Sequence, residues 1–233
     1  PPPLEGRSFL LVSLLVYVLD GLAWILYYRS ILIGPISIVG TLSAAYPALT
    51  VLLASVFLHE RLSAWQYLGV ALVLCGCAGL SYSPPDPEGE PVGRGWIPLA
   101  AGALLLWGGG QTLLKYAYTL PHCNEANAML FMIAGGWMTL GVYGLAWGRR
   151  PAREGDHARE WLHSMLPMGM MAGGDAALTV ATRYGPVSVV GPLTAAYPVV
   201  TIAFARVVLK EKITRLQYAS VAATLMGMLL TVA

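Results

Sequence analysis

Charged side chains are scarce in this chain: 14 Lys and Arg and 12 Asp and Glu among 233 residues, or 11%, against about 25% in a typical soluble domain. So few charges cannot cover a water-facing globular surface, and the positive mean hydropathy of +0.64 points the same way. Cysteine is nearly absent, at three residues. Cys75 and Cys77 fall inside an apolar run and Cys123 in a short connection, which supplies neither a disulfide framework nor metal-ligand spacing; packing is the plain reading of all three. A net charge of +2 offers nothing to attract nucleic acid. No phosphate-cradling loop or nucleophile-base constellation stands out, so neither an enzymatic activity nor a cofactor is expected.

What fills the chain is long hydrophobic runs, 57% of residues being hydrophobic. A helix needs about 20 such residues to cross a hydrocarbon core of about 30 Å. Eight spans are predicted, near 8–28, 35–57, 65–82, 96–117, 126–147, 162–182, 187–208 and 215–233. Only SPPDPEGEPVGRG (83–95) and GRRPAREGDHAREW (148–161) read as extramembrane loops, so no soluble domain fits. Barrel strands would show alternating segments of about ten residues, so unbroken runs specify an all-α polytopic membrane protein. The chain opens PPPLEGRS without methionine, which fits a fragment or a processed form and argues no signal peptide.

Residues 34–47 read GPISIVGTLSAAYP, and 185–198, at an offset of 151, read GPVSVVGPLTAAYP. The echo continues: Thr50 meets Thr201, HERLSAWQY (59–67) meets KEKITRLQY (210–218), and Gly76 meets Gly227. Internal similarity at a fixed offset dictates architecture. The span holding the second copy comes five spans after the span holding the first, an odd number, so the copies cross the membrane in opposite directions. That is an inverted repeat about a pseudo-two-fold axis in the membrane plane.

The repeated phrase, with [HK]-E-[RK]-[LI]-[ST]-x-x-Q-Y about a dozen residues after it, resembles the EamA-type repeat of the drug/metabolite transporter (DMT) superfamily. LLLWGGGQTLLKYA (104–117) is similar to the first helix of that repeat. The resemblance covers the chain from about residue 8. It implies two inverted five-helix units around a central cavity that moves small metabolites or xenobiotics. Three spans precede the second copy after the connector and only one precedes the first, so the first repeat lacks its two opening helices. Residues 1–82 are thus an incomplete first repeat of three helices, 83–95 a connector and 96–233 a second repeat of five helices.

Pro47 and Pro198 lie inside spans, where proline removes a backbone hydrogen bond and clashes with the carbonyl four residues earlier, Ser43 or Thr194. Each helix is expected to bend there. Gly40 with Ala44, and Gly191 with Ala195, form small-xxx-small pairs that let helices approach closely. Packing and a kink alone would explain these positions. Alternatively, the two bent helices form the floor of a midplane cavity, with Tyr46 and Tyr197 offering hydroxyls near it.

Asp20 and Asp175 are acids deep within spans, where a charge costs about 2.5–3.5 kcal/mol on insertion scales. Such a cost marks a bundle interior or a water-filled path. Two readings stay open: the carboxylates bind protons or a cationic substrate group, or they are hydrogen-bonded to neighbouring helices near Gly173, Gly174 or Gly21. Trp107, Gln111 and Lys115, spaced at i, i+4 and i+8, share one helix side, which the resemblance makes the cavity wall. Lys115 alone would be explained by snorkelling to the interface. Trp24, Tyr27 and Tyr28 extend an aromatic lining or form an interfacial belt. Glu60 and Glu211, each before a cation, read as helix-end electrostatics. His122, Cys123 and Glu125 crowd one loop without a second cluster, so no metal is expected.

Sorting cations by side puts Arg7, Arg61, Lys115 and Arg183 on one face and Arg29, Arg94, Arg149, Arg150, Arg153, Arg159, Arg206, Lys210, Lys212 and Arg215 on the other. The positive-inside rule would place the second face in the cytoplasm, whereas the usual topology of the family places it outside, so orientation stays open. The expected function is transport of a small organic solute by alternating access, with proton coupling through the buried acids, in the bacterial inner (plasma) membrane. The alternative is a non-transporting scaffold, or a half-transporter completed by a partner such as a homo-oligomer.

Overall fold

The computed structural model describes residues 8–34, 39, 43, 46–81, 95–147, 157–194 and 215–232. Within these the regular elements are helices: α1 (Ser8–Ile33), α2 (Tyr46–Phe57), α3 (Ala64–Ser81), α4 (Trp96–Ala117), α5 (Glu125–Gly136), α6 (Val142–Trp147), α7 (His157–Tyr184), α8 (Val187–Thr194) and α9 (Arg215–Val232). A π-helical turn, Trp137–Gly141, joins α5 to α6 and makes Glu125–Trp147 one continuous span. That span, α1 and α4 are long and apolar enough to cross a membrane. The shorter apolar stretches Ala64–Gly76 and Tyr218–Gly227 lie within α3 and α9.

The sequence marks several ends. Asn124 caps α5, its side chain accepting from Asn127 N at 2.9 Å. Ser63 and Gln66 form a capping box at the start of α3, with Gln66 N donating to Ser63 Oγ at 3.2 Å and Ser63 N to Gln66 Oε1 at 3.0 Å. This is the physical content of the Ser-x-x-Gln in the first copy of the repeat. Two boundaries differ clearly from expectation: α7 begins at His157, inside the predicted loop 148–161, because HAREW is built largely of residues that favour a helix. α1 runs on to Ile33, past the predicted end at 28.

Burial is arranged for lipid. Large side chains such as Leu11, Leu32, Leu130 and Leu229 are exposed, while buried positions are small or hydroxylic, including Ala23, Ala100, Ala103, Ala117, Ser13, Thr50 and Thr112. Apolar tails give no incentive to bury leucine, so helix association rests on close approach and internal hydrogen bonds. The buried hydroxyls accordingly bond within their own helices: Thr112 to Gly108 O, Thr139 to Gly135 O, Thr182 to Leu178 O and Thr224 to Ser220 O.

Three glycine-mediated seams position the site. α1 crosses α5 where Gly135 lies on Tyr17 and Gly21 on Thr139. α4 meets α2 where Gly108 lies on Leu49, and Thr50 Oγ1 donates to Gly108 O at 3.3 Å. α8 crosses α2 at Gly191, whose Cβ, if present, would stand 3.6 Å from Pro47 Cβ. Gly191 therefore faces α2 at ordinary van der Waals distance. Its partners Gly40, Ala44 and Ala195 lie outside the described residues, as do Tyr197 and Pro198 and the rest of the predicted spans 35–57 and 187–208.

Candidate functional site

α1, α2, α4, α7 and α8 surround a cavity of about 510 Å³, within the range of about 300–1,000 Å³ of small-molecule sites. Along α1, Asp20, Trp24 and Tyr27 project into it from one helix face, as their four- and three-residue steps require. α4 contributes Trp107 and Gln111. Tyr46 enters from the start of α2, Thr194 from the end of α8, and Gly174, Asp175 and Leu178 from α7, with Ser43 completing the wall. A smaller space of about 30 Å³ adjoins it, sharing Asp20, Trp107, Gln111, Asp175 and Leu178 and lined further by Tyr17 and Thr179; it is large enough to hold a water molecule.

Trp107 is the hub. Its indole Nε1 donates to Asp20 Oδ1 at 3.1 Å. Its ring lies 5.1 Å from Trp24, edge to face, 5.4 Å from Tyr27 and 6.0 Å from Tyr46, centroid to centroid. Contacts of this kind hold aromatic rings in fixed mutual orientation. Tyr28 stacks on Trp24 at 5.5 Å, which sets Trp24 from its outer side. The Tyr46 hydroxyl sits 3.4 Å from Thr194 Oγ1, joining the two copies of the repeated phrase. Among the described residues, Ser43 Oγ and Gln111 Oε1 are buried without a hydrogen-bond partner.

Seven residues singled out from the sequence therefore share one cavity: Asp20, Trp24, Tyr27, Tyr46, Trp107, Gln111 and Asp175. Lys115 is placed elsewhere. Its Nζ donates to Thr182 O at 3.0 Å and Gly185 O at 2.6 Å, the carbonyls closing α7, a position in which a cation also complements the helix dipole. Ser43 and Thr194 line the cavity without a residue-type signal of their own. The signal that finds them is the repeat itself, because they hold equivalent places four residues before Pro47 and Pro198.

One end of the bundle is tied by polar groups around the α7–α8 turn. The chain leaves α2 through His59 at φ 53°, which turns Glu60 towards α8. Glu60 Oε1 accepts from Val187 N at 3.1 Å, and Oε2 from Ser188 N at 3.1 Å and Ser188 Oγ at 2.5 Å. Glu60 thus has the helix-end role expected of it, at a helix other than the one it follows: the carboxylate caps α8, where exposed N–H groups and the dipole favour an anion. Nearby, Arg183 donates to Cys123 O at 2.6 Å and lies 3.4 Å from Glu125 Oε1, which also accepts from the Tyr184 hydroxyl. At another surface, Arg29 lies over Tyr143 and Trp147, each at 5.8 Å.

Comparison with known proteins fits this geometry. The sequence pattern of the EamA-like transporter family matches residues 1–82 and 94–233. A solved structure described only as a crystal structure of a protein superposes with a TM-score of 0.70 at 16% identity, covering 99% of this chain and 91% of that one. At that identity the likeness concerns the fold. A search of curated proteins found no match.

Proposed function

We propose that this chain, which belongs to the EamA-like transporter family, moves a small organic solute across the membrane by alternating access through the cavity around Trp107. The family makes it an integral membrane transporter of the DMT superfamily; the solute path and its mechanism are our reading. The observation that carries it is the cavity itself, which combines apolar aromatic faces with convergent polar groups at the meeting of five helices. The units 1–82 and 96–233, joined through 83–95, are the bodies that rock against each other. Their inverted relation gives the cavity two equivalent ways to open.

Asp20 and Asp175, both on the wall, are the groups through which proton movement couples to solute movement. Acids at this depth carry ion or proton paths in transporters. The bacterial inner membrane is the location we assign. Purified protein in proteoliposomes, offered amino acids, nucleobases, sugars and organic amines with and without a pH gradient, should move at least one class. The flux should change with the gradient and disappear in Trp107→Ala. Absence of flux for every class would remove the transport reading.

A further inference from the structure

Resting on that transport reading, we infer that the cavity selects protonated organic amines carrying an apolar or aromatic body.

The wall is one-sided in charge. Asp20 and Asp175 reach it from α1 and α7, and no Lys, Arg or His lines it among the described residues. The cation that helical spacing would bring closest, Lys115, has its Nζ on two backbone carbonyls. The indole of Trp107 supplies a donor to one oxygen of Asp20, while no hydrogen bond reaches Asp175 among the described residues. The other unsatisfied polar groups can accept: Gln111 Oε1, and the hydroxyl of Ser43, a residue only 2% exposed. A buried polar group without a partner costs about 1–3 kcal/mol, and the N–H groups of an ammonium can donate to the free lone pairs of Gln111 Oε1 and Ser43 Oγ.

The remaining surface suits the same ligand. Trp24, Tyr27, Tyr46 and Trp107 present aromatic rings within 5.1–6.0 Å of Trp107 or its neighbours. Ring faces attract cations by about 0.5–2 kcal/mol each, more when water is excluded. An anionic solute would meet two carboxylates and, among the described residues, no compensating cation. Like charges about 4 Å apart repel by about 1 kcal/mol even in bulk water, and more in a less polar cavity.

The test is equilibrium binding to the full chain in phosphatidylcholine nanodiscs, a zwitterionic lipid that keeps cations from adsorbing to the bilayer, using three probes of similar shape: phenethylamine, phenethyl alcohol and 3-phenylpropionate. Phenethylamine should bind at least about tenfold more tightly than the other two. Asp175→Asn should remove most of that preference, lowering phenethylamine affinity towards that of the alcohol, and Asp20→Asn serves if the first variant does not insert. Equal or tighter binding of the alcohol or the propionate, or no binding of phenethylamine, overturns the assignment. Flux separates this from the transport reading. A protein that carries neutral or anionic solutes but not amines keeps transport and loses the cation preference. One that binds phenethylamine through Asp175 yet moves nothing keeps the preference and loses transport.

Discussion

Gly227 lies directly on the backbone of Val73: a Cβ on that glycine would stand 2.7 Å from Val73 N, and 2.6 Å from Gly69 O. Gly76, its counterpart at the 151-residue offset, lies in the same way on Ser220 and Thr224, the counterparts of Gly69 and Val73. As the residue number rises along α3, its partner's number falls along α9, so the two helices cross antiparallel. Exchanging the copies reproduces the contact. The pseudo-two-fold relation read from span parity thus has a material centre, next to Val73 and Thr224.

Both glycines should therefore be intolerant in the same degree. Gly76→Ala and Gly227→Ala each drive a methyl into backbone atoms at 2.6–2.9 Å, forcing α3 and α9 apart, at about 1–3 kcal/mol for overpacking. Thermal unfolding in detergent should show comparable lowered midpoints for both. Gly109→Ala, with no atom within 4 Å of its added Cβ, should leave the midpoint unchanged or raise it through better helix propensity. A fall for Gly109→Ala as large as for the other two would remove the close-contact explanation.

The limits of sequence reading follow from the distance of each partner along the chain. Spans were legible because lipid imposes an apolar run of fixed length, and α4 has the bounds 96–117 that its composition suggested. The shared wall of Asp20, Trp24, Trp107 and Gln111 was legible because four-residue steps set a helix face and a buried acid is costly. Lys115 was not, because its carbonyl partners are 67 and 70 residues away and nothing local names them. Glu60 was half legible: its place at a helix end is local, but the helix it caps begins 127 residues later. The π-helical turn at Trp137–Gly141 has no apolar-periodicity signal, and only the packing of Thr139 on Gly21 shows where α5 must widen.

Glu60 and Ser188 should behave as a coupled pair. Glu60→Ala removes acceptors from two backbone N–H groups and one hydroxyl, and the loss of such a cap costs about 1–2 kcal/mol. Ser188→Ala removes only the hydroxyl bond and should cost less. Because both act on one carboxylate, the double variant should be no less stable than Glu60→Ala alone. Additive losses in unfolding midpoint would show that the two residues act separately.

Lys115 should matter for stability and not for solute binding. Lys115→Met leaves Thr182 O and Gly185 O without their donor, at about 1 kcal/mol each for a half-exposed site. Lys115→Arg, which keeps a cation there, should recover most of the loss. Solute affinity should stay within about twofold of the parent in both variants. A much larger change in affinity for Lys115→Met, with unchanged unfolding, would return Lys115 to the solute path.

Trp107 acts on Asp20 through its indole N–H and on Trp24, Tyr27 and Tyr46 through its ring. Trp107→Phe keeps a ring and loses the donor, so flux should fall by about tenfold, equivalent to one charge-assisted hydrogen bond of about 1.5 kcal/mol. If that loss passes through Asp20, the same substitution in an Asp20→Asn background should cost less than in the parent. Trp161→Phe, on the exposed outer surface, should leave flux unchanged. Equal losses in both backgrounds would mean that Trp107 serves the cavity by its ring alone.

Gly174 separates the cavity from the fold. It lines the cavity, and a Cβ there would meet no atom within 4 Å among the described residues, so a side chain can start into the space without a clash at its Cβ. Gly174→Leu should insert and unfold like the parent, since replacing a helical glycine gains up to about 1 kcal/mol of propensity. It should nevertheless lose solute binding, because the leucine occupies volume that the solute needs. A small residue offers the graded control: Gly174→Ala should retain most binding. The two readouts must move independently. If Gly174→Leu binds solute as well as the parent, the path does not pass between α1, α4 and α7, and the assignment of this cavity fails whatever the protein transports.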